Sequence, residues 1–276
     1  MGGPILGMLQ DYVSGLYLLT QEDMVISREK AFNLLAEAGE HDKSLPEGKE
    51  NITGRELVSM FIPDDISLTI NEGEDDEVVI EDGQLVKGVL DEDALGDYGG
   101  EIIQQLEIEY GSDKVAEFLN RVSRIGAVFL TRRGFSISIE DLEVPDEATQ
   151  KIRELVDGTV QDAEDVIQEY KDGEMETITG KTLDETREIR ITQTLNNVFT
   201  DIGDIISANV TEESSAYIMA DSGARGSMQN VTTMAGLLGQ NSVRDQRINR
   251  GYKERTTSHF KKGELSPKSK GFVSSS

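Results

Sequence analysis

Residues 145–206 constrain the fold of this chain more than any other stretch. Pro145 sits at a helix start, and the acidic pair Asp146 and Glu147 that follows suits the positive end of a helix dipole. From there Ile152, Leu155, Val156, Val160, Ala163, Ile167 and Tyr170 recur at helical spacing for about seven turns. Residues 173–181 turn the chain. Thr182 and Glu185 then form a capping box for a second stripe of Leu183, Ile189, Leu195, Val198, Phe199, Ile202 and Ile206. Two long amphipathic helices joined by a short loop predict an antiparallel hairpin whose outer faces are heavily charged.

The charge is uneven along the chain. The net charge of −26 over 276 residues exceeds what solubility requires. Residues 225–276 nevertheless carry a net +7, which leaves −33 on residues 1–224. An acidic exterior of this kind suits work in high salt, with a basic tail facing something anionic. The alternative is a charge drift between halves with no partner behind it. The chain has no cysteine, which excludes a disulfide framework, a thiolate metal site and a cysteine nucleophile, and fits a reducing cytoplasm. His41 and His259 are too few for a zinc site. No apolar run approaches 18 residues and the first ten lack a signal peptide's basic region, so no membrane is expected.

Before the hairpin, Asp11–Thr20 reads as a mostly buried segment, and Ser27 caps a short helix through Ala31, Phe32, Leu34 and Leu35. Strand patterns follow at 57–62, 66–70, 78–80 and 85–89. The last two are joined by Glu81-Asp-Gly-Gln84, a hairpin signal. Ser112 is placed to cap a helix bearing Val115, Phe118, Leu119, Val122, Ile125, Val128 and Phe129, which ends at Gly134. A short alternating strand, Phe135–Ile139, follows. The fold class is α+β: a small, mainly antiparallel sheet with helices over residues 1–143, a helical domain over 144–262 with the long hairpin and further short helices, and the start of a following region at 263–276.

Two motif matches fail. Gly180-Lys181-Thr182 resembles the end of a phosphate-binding P-loop, but six residues rather than four separate Gly173 from Gly180, and no strand precedes it. Asp91, Asp93 and Gly96 resemble the start of a calcium loop, yet Leu95 and Ile102 fill ligand positions, so no metal site is expected. The run Asp221-Ser-Gly-Ala-Arg-Gly-Ser227 is more informative. Gly223 and Gly226 bracket one cation, Arg225, and Ser227 suits a helix N-cap, which holds a guanidinium before a helix start that itself favours anions. A Gly-rich turn with an exposed arginine is the plain structural alternative. Downstream, Arg244, Arg247, Arg250, Tyr252, Lys253, Arg255, His259, Phe260, Lys261 and Lys262 interleave cations and aromatics, a composition suited to phosphate backbones and exposed bases.

Several blocks, taken in order, carry a family resemblance. They are Gly2-Gly-Pro-Ile-Leu-Gly7, Gln10-Asp11, Gly15-Leu-Tyr-Leu-Leu-Thr20, Thr53-Gly-Arg-Glu-Leu-Val-Ser-Met-Phe-Ile-Pro63, Asp221–Ser227, Gly239-Gln240, Arg247-Ile248, Arg250-Gly-Tyr252, Arg255-Thr256, His259-Phe260 and Gly271-Phe-Val273. Across essentially its whole length the chain resembles the largest subunit of multisubunit DNA-directed RNA polymerases, nearest the archaeal form and also similar to the bacterial one. The resemblance implies a pore domain followed by a funnel domain. The funnel's helical hairpin rims the secondary channel by which nucleotides enter and transcript-cleavage factors insert.

It further implies that Arg225 approaches the triphosphate of the incoming nucleotide, and that Asn230, Gln240 and His259 neighbour the active centre. Arg244, Arg247, Arg250, Lys253, Arg255, Lys261 and Lys262 would face nucleic acid. Asn241 stands where the family has a second Gln, and Thr257-Ser258 where it has Leu-Pro. The family's Asn-Ala-Asp-Phe-Asp-Gly-Asp magnesium loop is not in these residues and is expected before residue 1, with the bridge helix and trigger loop after Ser276. The chain is therefore expected to hold no catalytic residue and no cofactor of its own, Mg2+ belonging to the complete nucleotidyltransferase. Its expected partners are the second-largest subunit, the remainder of the largest subunit, template DNA, RNA, nucleoside triphosphates and a cleavage factor. A non-catalytic acidic hairpin scaffold, and a nucleic-acid binder acting through residues 225–276, are the rival readings.

Overall fold

The computed structural model describes residues 4–249 and 254–276. They form two compact units: residues up to Ile137 together with Ile218–Ser227, and Ser138–Tyr217 together with Met228–Ser276. The structure thus departs from a division at 143 and 262, because residues 218–227 fold with the first unit and residues 263–276 with the second.

The first unit opens with α1 (Asp11–Leu19), β1 (Val25–Ser27) and α2 (Arg28–Glu37), then β2 (Asn51–Thr53) and α3 (Gly54–Ser59). Ser27 caps α2 by accepting the Lys30 N–H. On α2 the buried residues are Ala31, Leu34 and Leu35, whereas Phe32 is exposed. α3 corrects the strand expected at 57–62. Thr53 and Glu56 close a reciprocal capping box there, which fixes a helical first turn and outweighs the β-rich composition of Leu57–Ile62.

β3 (Leu68–Ile70), β4 (Val78–Glu81) and β5 (Gln84–Lys87) make an antiparallel sheet, and β1 pairs with β2 separately. Among the described residues of this unit the expected antiparallel strands thus form two small sheets. Asp82 and Gly83 both take positive φ, 47° and 73°, as the two-residue hairpin turn requires.

α4 (Glu92–Leu95), α5 (Glu101–Tyr110) and α6 (Ser112–Arg133) complete the helices before residue 137. Gly111 occupies the N-cap position of α6, and Ser112 donates instead to Glu107, so the expected Ser112 cap is not made. The expected strand at Phe135–Ile139 is irregular chain with Ile137 and Ile139 exposed; its alternation finds no partner edge.

α1 lies directly on α6. A Cβ at Gly15 would fall 2.3 Å from the Gly126 carbonyl oxygen, so only glycine permits the approach. Val13, Leu16 and Leu19 of α1 join Val115, Phe118, Val122 and Ile125 of α6 and the inward residues of the sheets in one core.

In the second unit α7 (Asp146–Asp172) and α8 (Leu183–Ser207) form the antiparallel hairpin. Gly173 ends α7 in the left-handed conformation, and Thr182 with Glu185 closes the expected capping box on α8. Ile152, Val156, Ala163 and Ile167 are buried on one helix, and Ile191, Leu195, Val198, Ile202 and Ile206 on the other. Near the tip, Arg187 stacks 4.3 Å from the Tyr170 ring while the Tyr170 hydroxyl donates to Asp184 at 2.7 Å. The Arg190 guanidinium reaches Glu169 across the hairpin at 2.5 Å.

Helix α9 (Ser215–Asp221) belongs to the first unit from Ile218 on. The second unit resumes with α10 (Met228–Ala235), followed by β6 (Gly239–Gln240), β7 (Ser242–Val243), β8 (Gln246–Arg247) and β9 (Phe272–Val273). β6 pairs with β9, and β7 with β8 through a turn in which Arg244 and Asp245 take positive φ.

Candidate functional site

Arg225 sits in a turn built to expose it. Gly223 and Gly226 have φ of 68° and 79°, which only glycine adopts without strain, and the Arg225 N–H closes the turn onto the Met219 carbonyl at 3.1 Å. One residue earlier Ala224 is buried in the first unit's core, while Arg225 is exposed. Its guanidinium has no ion pair or side-chain hydrogen bond among the described residues. A solvated, unpaired, permanently charged fork of this kind is available to a polyphosphate.

The remaining expected site residues belong to the second unit. Asn230 is exposed on α10. Gln240 is half-buried, and its amide N–H groups hold the carbonyls of Asn241 (2.7 Å) and Lys270 (2.9 Å), so here it secures the loop that returns at 270. His259 is exposed, with Nδ1 3.3 Å from the Thr257 hydroxyl. Arg244, Lys261 and Lys262 are exposed, whereas Arg255 is half-buried and donates to the Phe260 carbonyl. Arg250 and Lys253 lie outside the described residues.

Arg247 corrects the reading of the tail as one outward cationic surface. Its side chain is 0% exposed, and it donates to the carbonyls of Leu265 (3.0 Å) and Ser266 (3.1 Å), with Glu188 of α8 at 3.5 Å. Burial holds its pKa below the ordinary arginine value, opposed by Glu188 and reinforced by Arg187. The buried Lys270 is lowered for the same leading reason. Both cations line a cleft of about 970 Å3 beside α8, and Arg247 holds the loop that carries Lys270 by its carbonyls at Leu265 and Ser266. A buried arginine between carbonyls and a carboxylate is a tether that spacing and composition alone do not distinguish from a surface cation.

The carboxylates of Asp76, Asp91 and Asp93 approach within 4.8 Å of one another. Each has structural work: Asp91 caps α4 by accepting the Ala94 N–H, and the Asn71 amide donates to Asp76 (2.9 Å) and Asp93 (3.3 Å). Leu95 and Ile102, at the ligand positions of the calcium pattern, are fully buried apolar residues. Burial raises the Asp91 pKa to about 6, helped by the like charges of Asp93 and Asp76.

This arrangement, a Gly-bracketed arginine on an α+β unit followed by a long helical hairpin, agrees with two family matches. The pattern described as RNA polymerase Rpb1, domain 3, matches residues 1–142, and that for RNA polymerase Rpb1, domain 4, matches residues 167–273. The chain belongs to the family of RNA polymerase largest subunits and carries its domains 3 and 4.

Among similar proteins is DNA-directed RNA polymerase subunit Rpo1N of Halobacterium salinarum, 39% identical across all of this chain and 29% of the relative. The Rpo1N subunits of Methanothermobacter thermautotrophicus and Sulfolobus acidocaldarius are 40% and 36% identical across all of this chain, each over 33% of the relative. The chain thus spans about a third of the length of these relatives. No helix among the described residues is long and apolar enough to cross a membrane.

Proposed function

We propose that this chain is the pore and funnel segment of an RNA polymerase largest subunit, serving nucleotide access and positioning during DNA-templated transcription. The observation that carries the reading is Arg225: an exposed guanidinium without an ion pair among the described residues, held by a turn between two left-handed glycines and anchored by a buried alanine. Its ligand is the triphosphate of an incoming nucleotide. The α7–α8 hairpin is the surface for a transcript-cleavage factor. The second-largest subunit, the remainder of the largest subunit, DNA and RNA are the other partners in the assembled enzyme.

The magnesium of the complete enzyme does not fit the carboxylates present. Asp76, Asp91 and Asp93 are committed to a helix cap and to Asn71, and the sequence has no Asn-Ala-Asp-Phe-Asp-Gly-Asp run. No chemical step is assigned to this segment; Arg225 contributes charge and orientation to a reaction whose acid–base and metal groups lie elsewhere.

Arg225→Ala in the assembled polymerase is expected to raise the apparent KM for nucleoside triphosphates by roughly tenfold or more, as loss of charge-assisted hydrogen bonds of about 1.5–3 kcal/mol requires. An unchanged KM overturns the triphosphate role. It would leave the hairpin as the segment's functional surface, which is what a non-catalytic scaffold predicts.

A further inference from the structure

The loop that presents Arg225 is pinned at three successive residues, the first to α1 and the next two to Glu92 of α4. The Tyr17 hydroxyl of α1 donates to the Asp221 carboxylate at 2.7 Å. The Glu92 N–H at the start of α4 donates to the Ser222 carbonyl at 3.1 Å. Gly223 lies so close to the Glu92 side chain that a Cβ there would stand 2.5 Å from the Glu92 Cβ. Ala224 then enters the core, and Arg225 emerges.

The two supports are themselves tied together. The Thr20 hydroxyl, at the end of α1, accepts the Leu90 N–H at 2.9 Å and donates to the Leu16 carbonyl at 2.8 Å, both inside the core. α1 is fixed in turn on α6 by the Gly15–Gly126 approach. The Tyr17 ring packs against a small cluster of Leu18, Leu130 and Ile218, so its hydroxyl has little freedom to follow Asp221 if the loop shifts.

We propose that Tyr17 is a positioning residue for Arg225, acting through Asp221. The hydrogen bond sets where α9 ends, and the turn that leaves α9 sets where the guanidinium is displayed. The Ser222 carbonyl, the α-carbon of Gly223 and the methyl of Ala224 hold the loop through backbone and packing, and the Ser222 hydroxyl accepts the Ala224 N–H within it. The Tyr17–Asp221 bond joins two functional side chains and so bears on the direction of the turn rather than its existence. A one-ångström error in a phosphate-binding fork costs affinity without touching the chemistry, so the effect belongs in KM. The proposal rests on the triphosphate reading of Arg225 given above.

The test is a double-mutant cycle in the assembled polymerase, with Tyr17→Phe, Asp221→Ala, Arg225→Ala and each of the first two combined with the third. Tyr17→Phe removes one oxygen and keeps the packed ring. It is expected to raise the apparent KM for nucleoside triphosphates roughly two- to tenfold, the range for one hydrogen bond, with kcat and the thermal unfolding midpoint held. Asp221→Ala should match it, and Asp221→Asn, which keeps an acceptor oxygen, should restore the parent value. In the Arg225→Ala background both effects should vanish. If Arg225→Ala raises KM but Tyr17→Phe does not, or if the Tyr17→Phe effect persists undiminished without Arg225, the positioning role is overturned while the triphosphate reading stands. If Arg225→Ala itself leaves KM unchanged, the underlying reading fails first.

Discussion

Asp91 illustrates how a single side chain carries opposed tasks. Its carboxylate caps α4, yet burial and the neighbouring Asp93 and Asp76 push its pKa up to about 6. An acid whose folded pKa lies above its unfolded value of about 3.9 binds more protons when folded, so it favours the folded state at low pH and loses that favour as pH rises through 6. Asp91→Asn keeps a capping oxygen and removes the charge. The substitution is expected to stabilise the chain at pH 7.5, by on the order of 1–3 kcal/mol, and to give little benefit below pH 4. Denaturant unfolding at the two pH values checks this; an equal effect at both would show that the charge is not what matters.

At the same scale, the sequence alone makes Arg225 conspicuous, because two glycines around one cation have few other uses. It does not separate Arg247 from Arg244, which lie three residues apart in the same basic run. The difference is whether Glu188 and the carbonyls of Leu265 and Ser266 arrive around the guanidinium, and those partners are remote in sequence. Tyr17 escapes sequence reasoning for the same cause: its partner Asp221 is 204 residues away.

Among the elements, those defined by local chemistry were legible and those defined by partners were not. The long helices declare themselves through an unbroken stripe, a capping box at Thr182 and a left-handed Gly173. Asp82-Gly83 does the same for the β4–β5 hairpin. The Thr53-x-x-Glu56 box has equal standing, but the strand-like run after it masks it until the helix is seen to be only six residues long. Alternation at Phe135–Ile139 promises a strand that no neighbour completes. α5 hides because Ile102, Ile103 and Leu106 are too few to mark a period over ten residues.

The contact between α1 and α6 belongs to this scale as well. Gly15→Ala forces a methyl into the Gly126 carbonyl, and the two helices must separate or bend. The expected loss is about 1–3 kcal/mol of stability, in the range for overpacking. It is measured by denaturant unfolding, with the exposed, unobstructed Gly158 of α7 as the control, where alanine is expected to be neutral or stabilising.

For the molecule as a whole, charge is the dominant global property. A net −26 repels itself at low ionic strength, and the Debye length shrinks from about 10 Å at 0.1 M to about 3 Å at 1 M salt. The chain is therefore expected to gain thermal stability between 0.1 M and molar KCl; a midpoint that falls over that range would contradict the screening argument. The basic tail does not reverse this, since part of its charge is spent internally at Arg247 and Lys270.

The way the two units share the chain has a consequence for biosynthesis. The first unit is complete only when Ile218–Ser227 has returned to it, bringing Ile218 and Ala224 into its cores. The residues 138–217 that intervene build the hairpin of the other unit. At ribosomal speeds these roughly 80 residues take on the order of ten seconds to make. For that interval the nascent first unit stands without its closing segment, its Tyr17 hydroxyl still without Asp221. The turn that displays Arg225 is thus the last piece of that unit to be synthesised.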